Sequence, residues 1–433
     1  MARPARRSGR QAQVIGLLVA LVQGCASVAP PPGGPPDKAP PKIITVKPES
    51  GAVVPNLKGD LVIQFDEVVD EMAGGGGRGV PGGLERQVLL SPVHGAVNVE
   101  WHRTKVTVKP KEGWKPRVYR LEILPGFTDL RRNRLDSAKT VLFSAGPEIG
   151  HARIGGIALR WVEQTILVRA LIEAVPLPDS VGYLTLSDSG GQFNLTNLQP
   201  GHYIVYASAD DNGDRRRGYR EPYDSTEVTL DSSSNVALYT FPHDTVPPRP
   251  RTATYADSLT IRVDFTQALD PTASFDTAHV HVFEGPDSTR VQVAQILTQR
   301  QFDSLSTALR LKADSEREAH DTGAAKRPAP PPAPPAPPPA RAVGPSGRPA
   351  VKQYVDTALV RQLLTRRPVP SDKLAVRLAH PMKPDTRYVV RIQGATNLIG
   401  KKGDGDIGLA SPKPVVADTT RRAQPAPRRP GRP

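Results

Sequence analysis

Asp210, Asn212, Asp214 and Glu221 stand in the run DDNGDRRRGYRE at positions one, three, five and twelve of a loop. Oxygen ligands at that spacing hold a calcium ion, with the twelfth residue giving both carboxylate oxygens. No cofactor is expected apart from calcium, which this spacing would admit. Two features oppose it: the sixth position, which takes glycine for a sharp turn, is Arg215, and Arg215, Arg216 and Arg217 bring three cations to the site. No helix precedes the loop either. The other reading is a hairpin turn in which Asn212 and Gly213 supply the residues of positive φ and aspartates close Asx turns.

Other chemistry is sparse. The run Gly74 to Gly77 lacks the lysine and hydroxyl residue of a phosphate loop, and there is no G-x-S-x-G or H-E-x-x-H. His279 and His281 fall two apart, on one face of a strand, as a possible metal pair or as surface histidines. Asp66 and Glu67 read as the end of a strand, facing opposite sides, so they cannot act on one bond. The expectation is that the protein is not an enzyme.

The chain's single cysteine, Cys25, cannot close a disulfide within the chain, and no second cysteine joins it in a metal site. Before it lie Arg3, Arg6, Arg7 and Arg10 and then the apolar run Val14 to Val22, the layout of a secretory signal and too short to span a bilayer. Val22, Gln23, Gly24 and Cys25 resemble the lipobox of bacterial lipoproteins. That resemblance implies removal of 1–24 and lipidation of Cys25. The alternative is an ordinary cleaved signal with an incidental cysteine. Buried acyl chains contribute about 0.8 kcal/mol per CH₂, enough to anchor without a transmembrane helix. Ala26 and Ser27 lack the aspartate that, by resemblance to enterobacterial sorting, retains a lipoprotein in the inner membrane. The implied location is the outer membrane, facing periplasm or surface.

The formal charge of +14 resembles that of a nucleic-acid binder until it is divided. Four of those charges leave with the leader, and the tail from Pro412 to Pro433 holds a net +5, which leaves +5 for the body. No nucleic-acid partner is expected. The tail, PAPRRPGRP at its end, is too polar and proline-rich to fold alone.

Proline marks the divisions. Pro30 to Pro41 reads as a stiff tether, and PAPPPAPPAPPPA from Pro328 to Ala340 interrupts the C-terminal half. Between them the pattern has a period of two: Leu61, Ile63 and Phe65; Val97, Val99 and Trp101; Val106 and Val108; Val118, Leu121 and Ile123. Short strands separated by Gly, Pro, Asn and Asp predict sandwiches. An internal repeat sets their bounds: the stretch from Asp37 aligns with that from Asp244, placing Phe65 and Asp66 opposite Phe265 and Thr266. Later, Lys115, Pro116, Tyr119 and Leu130 fall opposite Lys383, Pro384, Tyr388 and Leu398. Helical spacing of Phe302, Leu305, Leu309 and Leu311, and again over Tyr354 to Leu364, puts helices around the proline block. That insertion reads as a loose excursion or a partner-binding arm.

Pro40, Pro41, Pro48, Gly51, Phe65, Asp66 and Glu67, with the Tyr119 strand, resemble the bacterial Ig-like domain of S-layer and surface-lipoprotein families. Asp188, Gly191, Phe193, Leu195, Leu198, Pro200, Gly201 and Tyr203 resemble the signature of the carboxypeptidase regulatory-like, transthyretin-like domain. There, Phe193 and Leu195 lie on one strand and Tyr203 begins its partner across a turn. The expected fold is all-β: tandem β-sandwich modules (Ig-like, transthyretin-like, Ig-like) with a partly helical, proline-rich insertion in the last. The expected divisions are 1–24 signal, 25–41 lipidated cysteine and tether, 42–147 Ig-like, 148–243 carboxypeptidase regulatory-like, 244–411 Ig-like with its insertion at about 298–350, and 412–433 tail. The implied function is that of a non-catalytic, lipid-anchored envelope protein that binds a protein or glycan partner or spaces other modules. An accessory protein presenting glycan or peptide to a separate enzyme is the alternative.

Overall fold

The structure, a computed structural model, describes residues 37–72, 83–285, 289–320 and 357–413. Cys25, most of the tether, Gly74 to Gly77, the proline block and the tail from 414 lie outside them.

The first module pairs β1 (Ile43–Lys47), β2 (Leu61–Phe65), β5 (Lys105–Pro110) and β4 (Val97–His102), in that order, against a sheet of β3 (Val88–Ser91), β6 (Val118–Ile123) and β7 (Lys139–Ser144). Alternation puts Leu61, Ile63, Phe65, Val106, Val108, Tyr119, Leu121 and Ile123 in one core between the sheets. β6 is buried on both faces, so something must cover its outer one.

The second module holds β8 (Ala152–Arg160), β9 (Thr165–Ile166), β10 (Leu171–Pro176), β11 (Tyr183–Leu186), β12 (Gln192–Leu198), β13 (Gly201–Ser208), β14 (Tyr223–Leu230) and β15 (Ser233–Thr240). One sheet runs β11-β10-β13-β14; the other runs β12-β8-β15, with β9 on β8. The sequence places β12 and β13 as hairpin partners, but they lie in opposite sheets. Asn197 (φ +63°) and Gly201 (φ +154°) turn the chain across the core, and the Tyr203 hydroxyl donates to the Gln199 carbonyl at 2.7 Å to brace the crossing. The same turn residues serve either connection, so composition alone did not separate them.

The third module stacks β16 (Pro250–Asp257), β17 (Thr260–Leu269), β21 (Ser371–Leu378) and β20 (Val293–Thr298) on β19 (Thr289–Val291), β18 (Val280–Glu284), β22 (Arg387–Thr396) and β23 (Lys402–Ala410). Helix α1 (Gln299–His320) continues from β20, and α2 (Thr357–Thr365) precedes β21. Matched bonds in the first and third modules support the repeat. Phe65 and Phe265 are both buried. Asp66 Oδ1 accepts from the Lys42 amide at 2.7 Å, and Thr266 Oγ1 from the Arg249 amide at 3.1 Å. The Tyr119 hydroxyl accepts from the Lys115 amide at 2.7 Å and that of Tyr388 from the Lys383 amide at 2.8 Å. Both are buried corner tyrosines.

Candidate functional site

The polar groups with the most unusual surroundings lie where the modules meet. In β6 the period of two turns Arg120 and Glu122 away from the core, a face that a lone sheet would leave wet. Here it meets the second module. Arg120 Nε stands 2.8 Å from Glu122 Oε1 with side chains only 5% and 9% exposed, and its Nη1 reaches Thr196 Oγ1 at 3.5 Å. Ser91 Oγ accepts from the Leu184 amide at 2.9 Å, satisfying a donor on the edge strand β11. Arg117 pairs with Asp179 at 3.6 Å.

Beside this junction lies the loop 209–222 between β13 and β14, which carries the four expected calcium ligands. Asp210, Asp214 and Glu221 do not gather their oxygens into one ligand group among the described residues. Arg215 Nη1 reaches Asp210 Oδ2 at 3.1 Å and the Arg215 amide donates to Asp210 Oδ1 at 3.3 Å. Asn212 bonds Asp214 through both its amide nitrogen and its oxygen, Asp214 Oδ1 accepts from the Arg216 amide, and Glu221 Oε2 accepts from the Gly218 amide at 3.0 Å. The positive-φ residues are Gly213 (+71°) and Arg215 (+60°), so Asn212 is not the second of them. Arg215 thus takes the left-handed backbone that glycine would supply, and its guanidinium meets the Asp210 charge. Burial pushes the Arg215 pKa down; Asp210 opposes this, while Arg169 and Arg86 add to the depression.

At the second junction, α2 lies on the outer face of β8 and β15. Leu363 packs with Ile157, Leu159, Trp161 and Tyr239, and Val360 and Leu364 flank it. The Tyr239 hydroxyl donates to the Leu363 carbonyl at 2.9 Å, and Trp161 Nε1 to the Pro368 carbonyl at 3.1 Å. The Arg367 guanidinium sits 4.4 Å from the centre of the Tyr239 ring. From Thr357 onward the helix expected over Tyr354 to Leu364 is thus pinned to the neighbouring module, while Tyr354 to Asp356 lie outside the described residues.

A third polar cluster corrects the reading of Asp66 and Glu67. β2 ends at Phe65, so both acids lie beyond the strand, and Glu67 gathers with Asp37 and the buried Asp129, their oxygens within 4.8 Å of one another. In the third module the equivalent positions are Asp244, Gln267 and Asn397, where Asn397 Nδ2 donates to Gln267 Oε1 at 3.1 Å and to the Asp244 carbonyl at 2.7 Å. Burial raises the pKa of Glu67, and Asp129, Asp37 and Asp66 raise it further. A carboxyl that holds its proton more tightly when folded stabilises the fold below its unfolded pKa, and that contribution is lost as pH rises through the folded value. The charged form is therefore the destabilised one above the ordinary carboxylate range. Glu67→Gln, which installs the amide of the sister module, is expected to raise the melting temperature at pH 7 by about 1–3 °C and to flatten its dependence between pH 5 and 7. Parallel melts at the two pH values check this, and a variant less stable at pH 7 would contradict it. His279 and His281 do not pair: one bonds Asp276 at 2.9 Å and the other Arg290 at 3.0 Å.

Comparison with known proteins agrees with the first sandwich. Residues 37–145 match the model of the family described as bacterial Ig-like domain. This segment is an Ig-like β-sandwich. A search of the curated proteins returns no match. Similar solved structures include the major pilin subunit of Bacillus cereus, at 12% identity over 46% of this chain and 70% of that one, with a TM-score of 0.16. A DUF3823 family protein from Bacteroides uniformis is 7% identical over 61% of this chain and 100% of that one, with a TM-score of 0.15. Domains 1-6 of the surface layer protein SbsC are 9% identical over 87% of this chain and 55% of that one, with a TM-score of 0.17. The fold assignment rests on the strand pairing above and on the family match. No helix among the described residues is long and apolar enough to cross a membrane.

Proposed function

We propose that this chain is a non-catalytic envelope protein, anchored by a lipid on Cys25, whose three sandwiches form a stiff spacer or binding scaffold held off the membrane by the proline tether. In this reading the middle module is of the carboxypeptidase regulatory-like, transthyretin-like type and the third is a second Ig-like module. The observation that carries the reading is the bonding of each module to its neighbour. The Leu184 amide to Ser91 Oγ fixes the first junction, and the Tyr239 hydroxyl to the Leu363 carbonyl fixes the second. Modules joined by plain linkers move relative to one another by default, and polar contacts across both junctions, partly buried at the first and buried at the second, oppose that motion.

Two measurements on the full chain test the two halves of the proposal. Cys25→Ser is expected to abolish palmitate labelling and detergent-phase partitioning; membrane association that survives the change ends the anchor. Small-angle scattering is expected to fit one fixed arrangement of three modules, and a profile that needs independently moving modules ends the stiff spacer.

A further inference from the structure

We propose that the cleft between the first and second modules binds a small, multiply charged phosphate-type anion. The cleft measures about 660 Å³, within the usual range for small-ligand sites. Its walls carry Arg86 and Arg134 from the first module and Arg160, Arg169 and Arg215 from the second. Against these five cations stand two carboxylates, and both are already engaged: Asp210 with Arg215 at 3.1 Å, Asp211 with Arg160 at 3.7 Å. Arg86, Arg134 and Arg169 form no ion pair among the described residues, yet they share one cleft with the other two.

Three further observations point to a ligand. Arg215 Nε is buried and has no hydrogen-bond partner among the described residues, a donor whose desolvation nothing offsets. Arg169 (φ +57°) and Arg215 (φ +60°) both occupy left-handed backbone, where glycine or asparagine would sit at lower cost. The Arg86 guanidinium lies over the same loop at Gly213 (φ +71°), where a Cβ would stand in ordinary contact, 3.8 Å from its Cζ, so the first module's cation reaches the second module's loop. Like charges gathered this way repel, and a bound polyanion turns that repulsion into binding energy. Guanidinium forks match phosphate oxygens two at a time, so three arginines without a carboxylate partner among the described residues favour two or more phosphate charges over a single carboxylate. Since both modules contribute cations, the anion would also bridge the junction. This goes beyond the scaffold reading and does not depend on the lipid anchor.

The phosphate can come from a soluble compound or from a lipid headgroup, and one experiment separates them. Inorganic pyrophosphate is titrated calorimetrically into the full chain carrying Cys25→Ser, so that no acyl anchor contributes. Saturable binding that weakens with salt is expected. Arg86→Ala and Arg169→Ala should each weaken it about tenfold, while Arg251→Ala on β16, remote from the cleft, should change it less than twofold. Unchanged melting of the two cleft variants without ligand confirms that they fold. Absence of saturable binding at millimolar pyrophosphate overturns the proposal, as does equal weakening by Arg251→Ala. In a second arm, capture on phosphatidylglycerol vesicles that is blocked by pyrophosphate and lost in Arg169→Ala assigns the phosphate to a headgroup. Pyrophosphate binding without such capture assigns it to a soluble compound.

Discussion

Arg120→Met is expected to cost about 3–5 kcal/mol, because it removes the partner of a carboxylate that stays buried. Glu122 has 9% of its side chain exposed and its ion-pair partner is Arg120 at 2.8 Å. Without the guanidinium, the charge must be neutralised in place or returned to water. Hydration requires the two modules to part, since the pair lies on the outer face of β6 and not in the core of the first sandwich. Parting is the easier route once the loss exceeds what the junction contributes. The expected signature is therefore thermal unfolding of the first module separating from that of the second, where the wild type melts them together. Arg120→Met combined with Glu122→Leu should recover most of the loss, since an apolar pair of similar volume has no charge to hydrate. Calorimetry of the wild type, the single variant and the double variant decides it. A single variant within about 1 kcal/mol of wild type would show that the pair is not what holds the junction.

The reasons this junction was not legible in the sequence are physical. Alternation along β6 gives Tyr119, Leu121 and Ile123 to the core, and by the same rule gives Arg120 and Glu122 to solvent. Only a second module can reverse that assignment, and the group it brings, Thr196, lies 76 residues further along the chain. The strands themselves were readable because each module buries one face of each sheet, and the repeat was readable because its tyrosine corners and loop caps recur at matched positions. The loop after β13 shows the opposite case. Its spacing offers the oxygens of a cation site, but that pattern looks the same when a guanidinium meets the carboxylate. Arg215, read as an objection to calcium, is the residue that answers Asp210. Asp66 and Glu67 were misplaced for a smaller reason: the strand ends two residues earlier, at Phe65, which frees Glu67 to turn towards Asp37 and Asp129.

Helix α2 is a second element whose existence the spacing predicted but whose role depended on a distant partner, Tyr239, 124 residues before the carbonyl it binds. Nine residues are too few to hold a helix in water without packing. Its order must therefore come from the surface under it, and Trp161 is the largest side chain of that surface. Trp161→Ala is expected to remove about 3–5 kcal/mol from this contact through lost burial, the lost bond to the Pro368 carbonyl and the lost ring face for Arg367, whose guanidinium stands 5.7 Å from its centre. With that loss α2 should detach and unfold locally while the sandwiches on either side stay intact. Trypsin reports it directly, because Arg361 and Arg366 lie in and just after the helix: digestion of the variant should cut after both, mapped by mass spectrometry, where the wild type resists. Trp161→Phe keeps a ring against Leu363 but cannot donate to Pro368, so its cleavage should fall between the two, a loss of about 1 kcal/mol. Equal digestion of all three proteins would mean that α2 is held by its own module and not by the neighbouring sheet, and the third sandwich would then be free to move against the second.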